Sequence, residues 1–221
     1  MTEPDAVTVA DTVRWLHEEG LSRLAGLSDQ VPGVIAAYTI DVAAGTVTAY
    51  PAAGSAGSAG VLAYAADDLP FPDGSTRRLV VVGVTTTNSV LVVDLATTLA
   101  LTINSDRPES PARSWVLQLL LNPEITITTN SAEVALEAGN RCRHTFIPGG
   151  GGTIVSVDDT RPPVTTITLN SSADGPDHLD VEIDRSGEMY LGTRCWTLDE
   201  VMTVDDNVWA ALAAQLEESI A

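Results

Sequence analysis

Two continuous apolar runs limit most strongly what this chain can fold into. Residues 78–84 and 89–95 are each about one strand long, and only the polar residues 85–88 separate them. A strand that is apolar at nearly every position, and not only at alternate ones, is buried on both of its faces. The two runs therefore predict neighbouring buried strands joined by a tight turn.

Helical and strand patterns surround this pair. In residues 7–27 the apolar positions are spaced mostly by three or four residues, with one spacing of five across Gly20, which predicts an amphipathic helix. A β-hairpin is predicted at 34–50, and further helices at 111–121 and 204–220. The fold class that follows is α/β, with α+β character at the ends: a mixed sheet with flanking helices and a small N-terminal helix–hairpin unit.

A short helix is also predicted at 131–137, where Ser131 can cap the first turn. It lies between strands, and this alternation is typical of a parallel sheet. After the glycine run 149–152 the chain is rich in strands. The strands predicted from residue 99 onwards are 99–103, 125–129, 142–147, 153–157, 164–169, 179–183 and 189–191.

Two segments of small residues suggest how the chain is divided. Residues 54–60 are all glycine, serine or alanine, and such a run cannot pack into a core. We therefore predict a helix–hairpin unit at 1–53, a tether at 54–60 and an α/β domain at 61–221. The four glycines at 149–152 are a candidate further division of that domain.

The chain contains no lysine. Its 11 basic residues are all arginine, against 30 acidic residues, and the formal net charge is −19. The absence excludes a phosphate-binding P-loop lysine, a Schiff-base lysine and a lysine general base. A field of this sign repels nucleic acid and anionic membranes, so we expect neither as a partner. A charged partner is expected to be cationic.

The same composition bears on origin and location. No apolar run approaches the roughly 18 residues of a membrane-spanning helix, and residues 1–10 lack the positive start of a secretory signal. We therefore expect a cytoplasmic protein. Arginine without lysine, together with abundant alanine, glycine, valine and threonine, indicates a GC-rich genome such as that of an actinobacterium.

Neither a cofactor nor a metal is expected. Residues 99–121 follow the strand–loop–helix order of phosphate-binding sites, but their loop, 104–110, has two acids and neither glycine nor lysine. The two cysteines, Cys142 and Cys195, are far apart in sequence, and the three histidines have no metal-binding spacing.

The sharpest catalytic hypothesis is the pair Cys142 and His144. Residues two apart in a strand point to the same face, so the thiol would lie beside the imidazole base that a cysteine nucleophile needs. Arginines flank Cys142, a setting that can lower the pKa of a thiol, but in a strand they point to the opposite face. The alternative is a buried structural cysteine beside an ordinary histidine, which the strong burial preference of cysteine favours. We therefore expect no enzyme.

Part of the chain resembles a non-catalytic segment of large actinobacterial regulators that carry a bacterial transcriptional activator domain. The resemblance is carried by LVVVG at 79–83, SVLVVDL at 89–95, LALTI at 99–103 and VEIDRSG at 181–187. It covers roughly residues 61–221. The activator domain and any DNA-binding domain are missing from this chain. The resemblance therefore implies a stand-alone regulatory or scaffolding module, with no catalytic residues to carry over.

A complete-looking fold without an assembled polar site favours a non-enzymatic, intracellular protein-interaction, regulatory or assembly module. Its partner is expected to be another protein or a second copy. The candidate surfaces are Trp15 on the first helix and an aliphatic patch at edge strands around Thr165, Ile167 and Leu169. Two alternatives stay open: a phage or injection-machine structural protein, located in the virion, and a thiol-dependent hydrolase or transferase using the cysteine–histidine pair.

Overall fold

A computed structural model of the chain describes residues 6–52, 60–71, 76–136, 140–147, 152–171 and 175–220, with side chains up to Gln215. The chain divides into two compact units, Met1–Thr97 and Thr98–Ala221, which we call unit 1 and unit 2. The predicted tether at 54–60 and the glycine run at 149–152 lie outside the described residues, apart from Gly60 and Gly152.

Unit 1 begins with the predicted amphipathic helix, which changes its winding once. Helix α1 (Val9–Trp15) leads into a π-helical turn (Leu16–Gly20) and then into α2 (Leu21–Gln30). Thr8 caps α1: its hydroxyl accepts a hydrogen bond from the Asp11 N–H, and the Asp11 carboxylate accepts one from the Thr8 N–H. This reciprocal pair satisfies two backbone donors at the helix start.

The π-helical turn explains the spacing of five in the apolar pattern. In this turn the Leu21 N–H donates to the Leu16 carbonyl, five residues earlier, and not to the residue four positions earlier as in an α-helix. Leu16 and Leu21 therefore lie on the same side of the helix, and both are buried. The helix keeps its apolar stripe directed to the core on both sides of the turn.

Five antiparallel strands complete unit 1, in the spatial order β3-β2-β1-β5-β4. In the tight turn of the β1–β2 hairpin, the Asp41 carboxylate accepts hydrogen bonds from the backbone N–H groups of the turn. A second tight turn joins β4 to β5, and there the Asn88 N–H donates to the Thr85 carbonyl. The strands are β1 (Ile35–Asp41), β2 (Thr46–Pro51), β3 (Leu62–Ala65), β4 (Leu79–Thr85) and β5 (Ser89–Asp94).

The core of unit 1 is built around β4 and β5. Every residue of β5 is buried, and so are all but one of β4, which confirms the two buried strands predicted from the continuous apolar runs. Each fully buried valine or leucine contributes about 1.5–3 kcal/mol relative to exposure. Tyr38 of β1 links the sheet to the helix, because its hydroxyl donates to the Leu24 carbonyl at 3.1 Å inside the core.

Unit 2 has a mixed sheet in the order β13-β12-β11-β6-β10-β9-β7-β8. β6 runs parallel to both of its neighbours, and β7 runs parallel to β8, whereas the other pairs are antiparallel. Its elements are β6 (Ala100–Ser105), α3 (Glu109–Leu120), β7 (Thr126–Thr129), β8 (Cys142–His144), β9 (Thr153–Asp158), β10 (Thr165–Leu169), β11 (His178–Val181), β12 (Gly187–Leu191), β13 (Arg194–Val201) and α4 (Asp206–Ile220).

Two elements of unit 2 differ from prediction. The short helix predicted at 131–137 is wrong as far as the chain is described there, because Ser131 caps a single turn that stops at once. The Leu136 N–H then donates to the Cys142 sulfur in place of a helical carbonyl. Strand β13 was not predicted, because its polar and apolar residues do not alternate regularly and only two of its eight side chains, Thr197 and Val201, are β-branched.

The α/β class, the mixed sheet and the N-terminal helix–hairpin unit are confirmed. Among the described residues, none of the helices combines the length and the apolar character that crossing a bilayer requires.

Candidate functional site

A groove of about 420 Å³ opens in unit 1, between the start of the helix and the turn of the β1–β2 hairpin. Most of its wall is apolar or small. We call it the Trp15 groove, after its largest side chain. It is lined by Val7, Asp11, Thr12, Trp15, Ile40, Asp41, Val42, Ala43, Ala44, Gly45 and Ala66.

Trp15 is held in this groove by the π-helical turn. Its indole N–H donates to the Glu19 carboxylate at 2.8 Å, so the polar edge of the ring is already satisfied. The ring also covers Gly20, where an added Cβ would lie 2.9 Å from the ring carbon Cζ3. Only glycine at this position leaves room for the ring. The sequence signals for this arrangement are the spacing of five and the glycine that it crosses.

The hairpin turn forms the opposite wall. The Asp41 carboxylate accepts hydrogen bonds from the Ala43 and Ala44 N–H groups at 2.9 and 2.6 Å. Gly45 then adopts a φ of 63°, and its carbonyl accepts a hydrogen bond from the Ala66 N–H at 3.0 Å. The wall is therefore fixed by backbone contacts. The groove exists because the side chains at this turn are methyl groups or hydrogen.

The carboxylates of the groove serve the fold. Asp41 holds the hairpin turn, and Asp11 completes the capping box of α1. The hydrogen bonds that Asp11 accepts from the Thr8 hydroxyl and N–H lower the pKa of its carboxyl group, which stays charged at neutral pH. No set of free polar groups converges on one point of this groove, as far as the described residues show.

In unit 2 the loop predicted as unable to bind phosphate has a structural role. Arg107 from this loop and Arg113 from α3 both pair with the carboxylate of Asp206, the first residue of α4. These two hydrogen bonds lower the pKa of Asp206, that to Arg113 most. Arg113 is buried and also lies 5.5 Å from the centre of the Trp209 ring. These ion pairs tie the start of α4 to α3 and to the loop before it.

Cys142 and His144 lie in β8, as predicted, but in different surroundings. Cys142 is buried, and burial raises the pKa of its thiol, which is therefore protonated at neutral pH. Its sulfur accepts a hydrogen bond from the Leu136 N–H at 3.4 Å. His144 is exposed, with Nε2 3.3 Å from the Asn130 carbonyl oxygen. Both surroundings differ from those of an activated nucleophile, which needs a lowered pKa and an adjacent base.

The second surface predicted for interaction, around Thr165, Ile167 and Leu169, is wrong. These residues form the inward side of β10, which pairs with β6 on one side and β9 on the other. All three side chains are buried. The sequence could not show this, because the partner strand β6 lies more than sixty residues earlier in the chain.

No family model, curated protein or solved structure matches this chain. The resemblance of residues 61–221 to the regulator segment therefore stays a prediction. Among the described residues, no group of three histidine, cysteine, aspartate or glutamate side chains is placed to hold a metal ion.

Proposed function

We propose that this protein is a non-enzymatic protein-interaction module that receives an apolar side chain of a partner protein in the Trp15 groove. A regulatory or assembly role of such a module is part of the proposal. The observation that carries it is the groove itself, a concave apolar surface beside a tryptophan that a π-helical turn and Gly20 hold in place. π-Helical turns inside α-helices occur often at functional sites.

The distribution of polar groups supports binding and not catalysis. Catalysis needs a base, a nucleophile or a donor that is free to act on a substrate. Asp11, Asp41 and the indole N–H of Trp15 all have intramolecular partners. The groove therefore offers apolar contact, which suits the anchor residue of a protein partner, since a few buried anchors dominate such interfaces.

The proposal can be tested with peptides displayed on phage and selected against the immobilised protein. We expect the selected peptides to share a large apolar residue and to lose binding to an Ala44→Leu variant, because the added side chain fills the groove. Ala96→Leu is the matched control, since Ala96 is an exposed alanine of unit 1 that does not line the groove. Equal binding by both variants and the wild type would falsify the proposal.

Trp15→Ala adds a measure of magnitude. Truncation of an aromatic residue at the centre of an interface costs about 2–4 kcal/mol, or roughly thirtyfold to a thousandfold in Kd. Isothermal titration with a selected peptide measures the change. A loss below threefold would mean that the tryptophan is a bystander and that the peptide binds elsewhere.

A further inference from the structure

The open face of the unit 2 sheet carries two rows of polar side chains across three strands. His178 lies opposite Tyr190, and Tyr190 lies opposite Cys195; one step along, Asp180 lies opposite Glu188 and Glu188 opposite Thr197. Alternate residues of a strand share a face, so both rows lie on one side. We call this surface the β11–β13 face. It consists of the six residues of these rows, His178, Asp180, Glu188, Tyr190, Cys195 and Thr197, together with Asp199, which lies two residues beyond Thr197 on the same side of β13.

The two sides of these strands differ in solvent exposure. Leu179, Met189 and Leu198 point to the other side and are buried. On the β11–β13 face, Cys195, Thr197 and Asp199 are exposed, and the other members are partly exposed. The face is therefore an outer surface of unit 2.

The centre of the face is an ordered aromatic pair. The rings of His178 and Tyr190 stack with centroids 4.4 Å apart and an interplanar angle of 18°. The Tyr190 hydroxyl donates to the Glu188 carboxylate at 2.6 Å, and His178 Nε2 lies 3.6 Å from the Asp180 carboxylate. The Asn104 amide of β6 donates to Asp180 at 2.8 Å. These contacts hold two carboxylates beside the π-surface.

Six arginines of unit 2 have partners other than the carboxylates of the β11–β13 face. The pairs are Arg107 and Arg113 with Asp206, Arg161 with Glu124, and Arg185 with Glu200, while Arg141 and Arg143 donate to backbone carbonyls. Asp180, Glu188 and Asp199 therefore present their charge to solvent or to a partner.

From this arrangement we propose that the β11–β13 face is a second binding surface, separate from the Trp15 groove, for an extended basic segment of a partner protein. Carboxylates beside a stacked aromatic pair suit guanidinium and ammonium groups, which gain both ionic and cation–π attraction. Asp180 and Glu188 lie opposite each other on neighbouring strands, and Asp199 lies on the third strand, so the carboxylates are spread across the face. An extended segment with several basic residues can therefore pair with more than one of them.

The probe is a fluorescein-labelled peptide of eight residues in which arginine alternates with serine, and binding is followed by fluorescence anisotropy. We expect Asp180→Asn/Glu188→Gln to weaken binding at least fivefold. The control, Asp67→Asn/Glu133→Gln, changes the net charge equally at exposed positions outside the face and is expected to weaken binding less than twofold. Equal weakening by both pairs would mean that only the overall field attracts the peptide, and would overturn the proposal.

Two further measurements keep the result independent of folding. Thr197→Lys places a positive charge at an exposed position of the face and is expected to abolish binding without disturbing the polar network. Tyr190→Phe keeps the ring and is expected to retain most of the affinity, whereas Tyr190→Ala loses it. Unchanged binding by Thr197→Lys overturns the proposal. Spermine that binds as tightly as the peptide also overturns it, because the face would then be a polyamine site.

Discussion

The substitution Gly187→Ala tests how closely β12 approaches β11. An ideal Cβ at Gly187 would lie 2.2 Å from the Asp180 carbonyl oxygen, and backbone atoms cannot move aside as a side-chain tip can. The φ of Gly187 is not in the left-handed region. Alanine is therefore compatible with the backbone, and the loss of chain entropy alone would make the variant more stable by about 0.4–1 kcal/mol. The clash acts in the opposite direction.

The magnitude follows from the distance. A Cβ and a carbonyl oxygen stay at least 3.0 Å apart in practice, so the strands must separate by roughly 0.8 Å, the difference between 3.0 and 2.2 Å. Overpacking costs about 1–3 kcal/mol, and one weakened backbone hydrogen bond costs about 1 kcal/mol more. After the entropic gain, we expect a net loss of about 1–3.5 kcal/mol in the free energy of unfolding.

Urea denaturation followed by circular dichroism measures this loss. Gly60→Ala is the control, because an added Cβ at Gly60 meets no atom of the described residues within 4 Å, so the stability of this variant should be unchanged or slightly higher. We expect a lower urea midpoint for Gly187→Ala and, in a thermal melt, an apparent Tm lower by about 2–14 °C. A Gly187→Ala midpoint at or above that of the wild type would refute the close approach of the two strands.

Three further outcomes are expected. Gly20→Ala should weaken peptide binding to the Trp15 groove while leaving the fold intact, because the added methyl displaces the Trp15 ring; titration with a selected peptide checks it. Of the two cysteines, Cys195 should react with a thiol reagent at neutral pH in the native protein, and Cys142 only after unfolding, which mass spectrometry of the labelled protein can show. The pKa of Asp206 is lowered in the folded protein, so its stabilising contribution is complete above its ordinary pKa of 3.8 and is lost as pH falls through the lowered value. Acid unfolding should therefore be shallower in Asp206→Asn than in the wild type.

Most of the local structure could be predicted because it depends on patterns within single segments. The apolar runs at 78–84 and 89–95 specify buried strands by themselves, and the stripe of the first helix includes the spacing of five that becomes a π-helical turn. The prediction of a short helix at 131–137 failed because the Leu136 N–H donates to the sulfur of Cys142, six residues later, and not to a helical carbonyl. The pattern of residues 131–137 alone does not contain this contact.

The candidate site was predictable only in part. Trp15 was identified because a tryptophan on an amphipathic helix is a reasonable contact residue, but the other wall of its groove comes from the hairpin turn and Ala66. β10 was misjudged because the edge or interior position of a strand depends on pairing partners far away in the sequence. The β11–β13 face could not be predicted either, since its register joins three strands and one of them, β13, was missed.

The π-helical turn also restricts which changes of length the first helix can tolerate. One α-helical residue corresponds to about 100° of rotation. The π-helical turn absorbs one extra residue without this rotation, because the Leu21 N–H bonds to the carbonyl five residues earlier and Leu16 and Leu21 stay on one side of the helix. Removing one residue between Leu16 and Gly20 would therefore restore ordinary α-helical winding with the two leucines four residues apart, and Trp15 would keep its direction relative to α2. Removing a second residue would turn Trp15 and everything before it by about 100° and take its ring out of the groove.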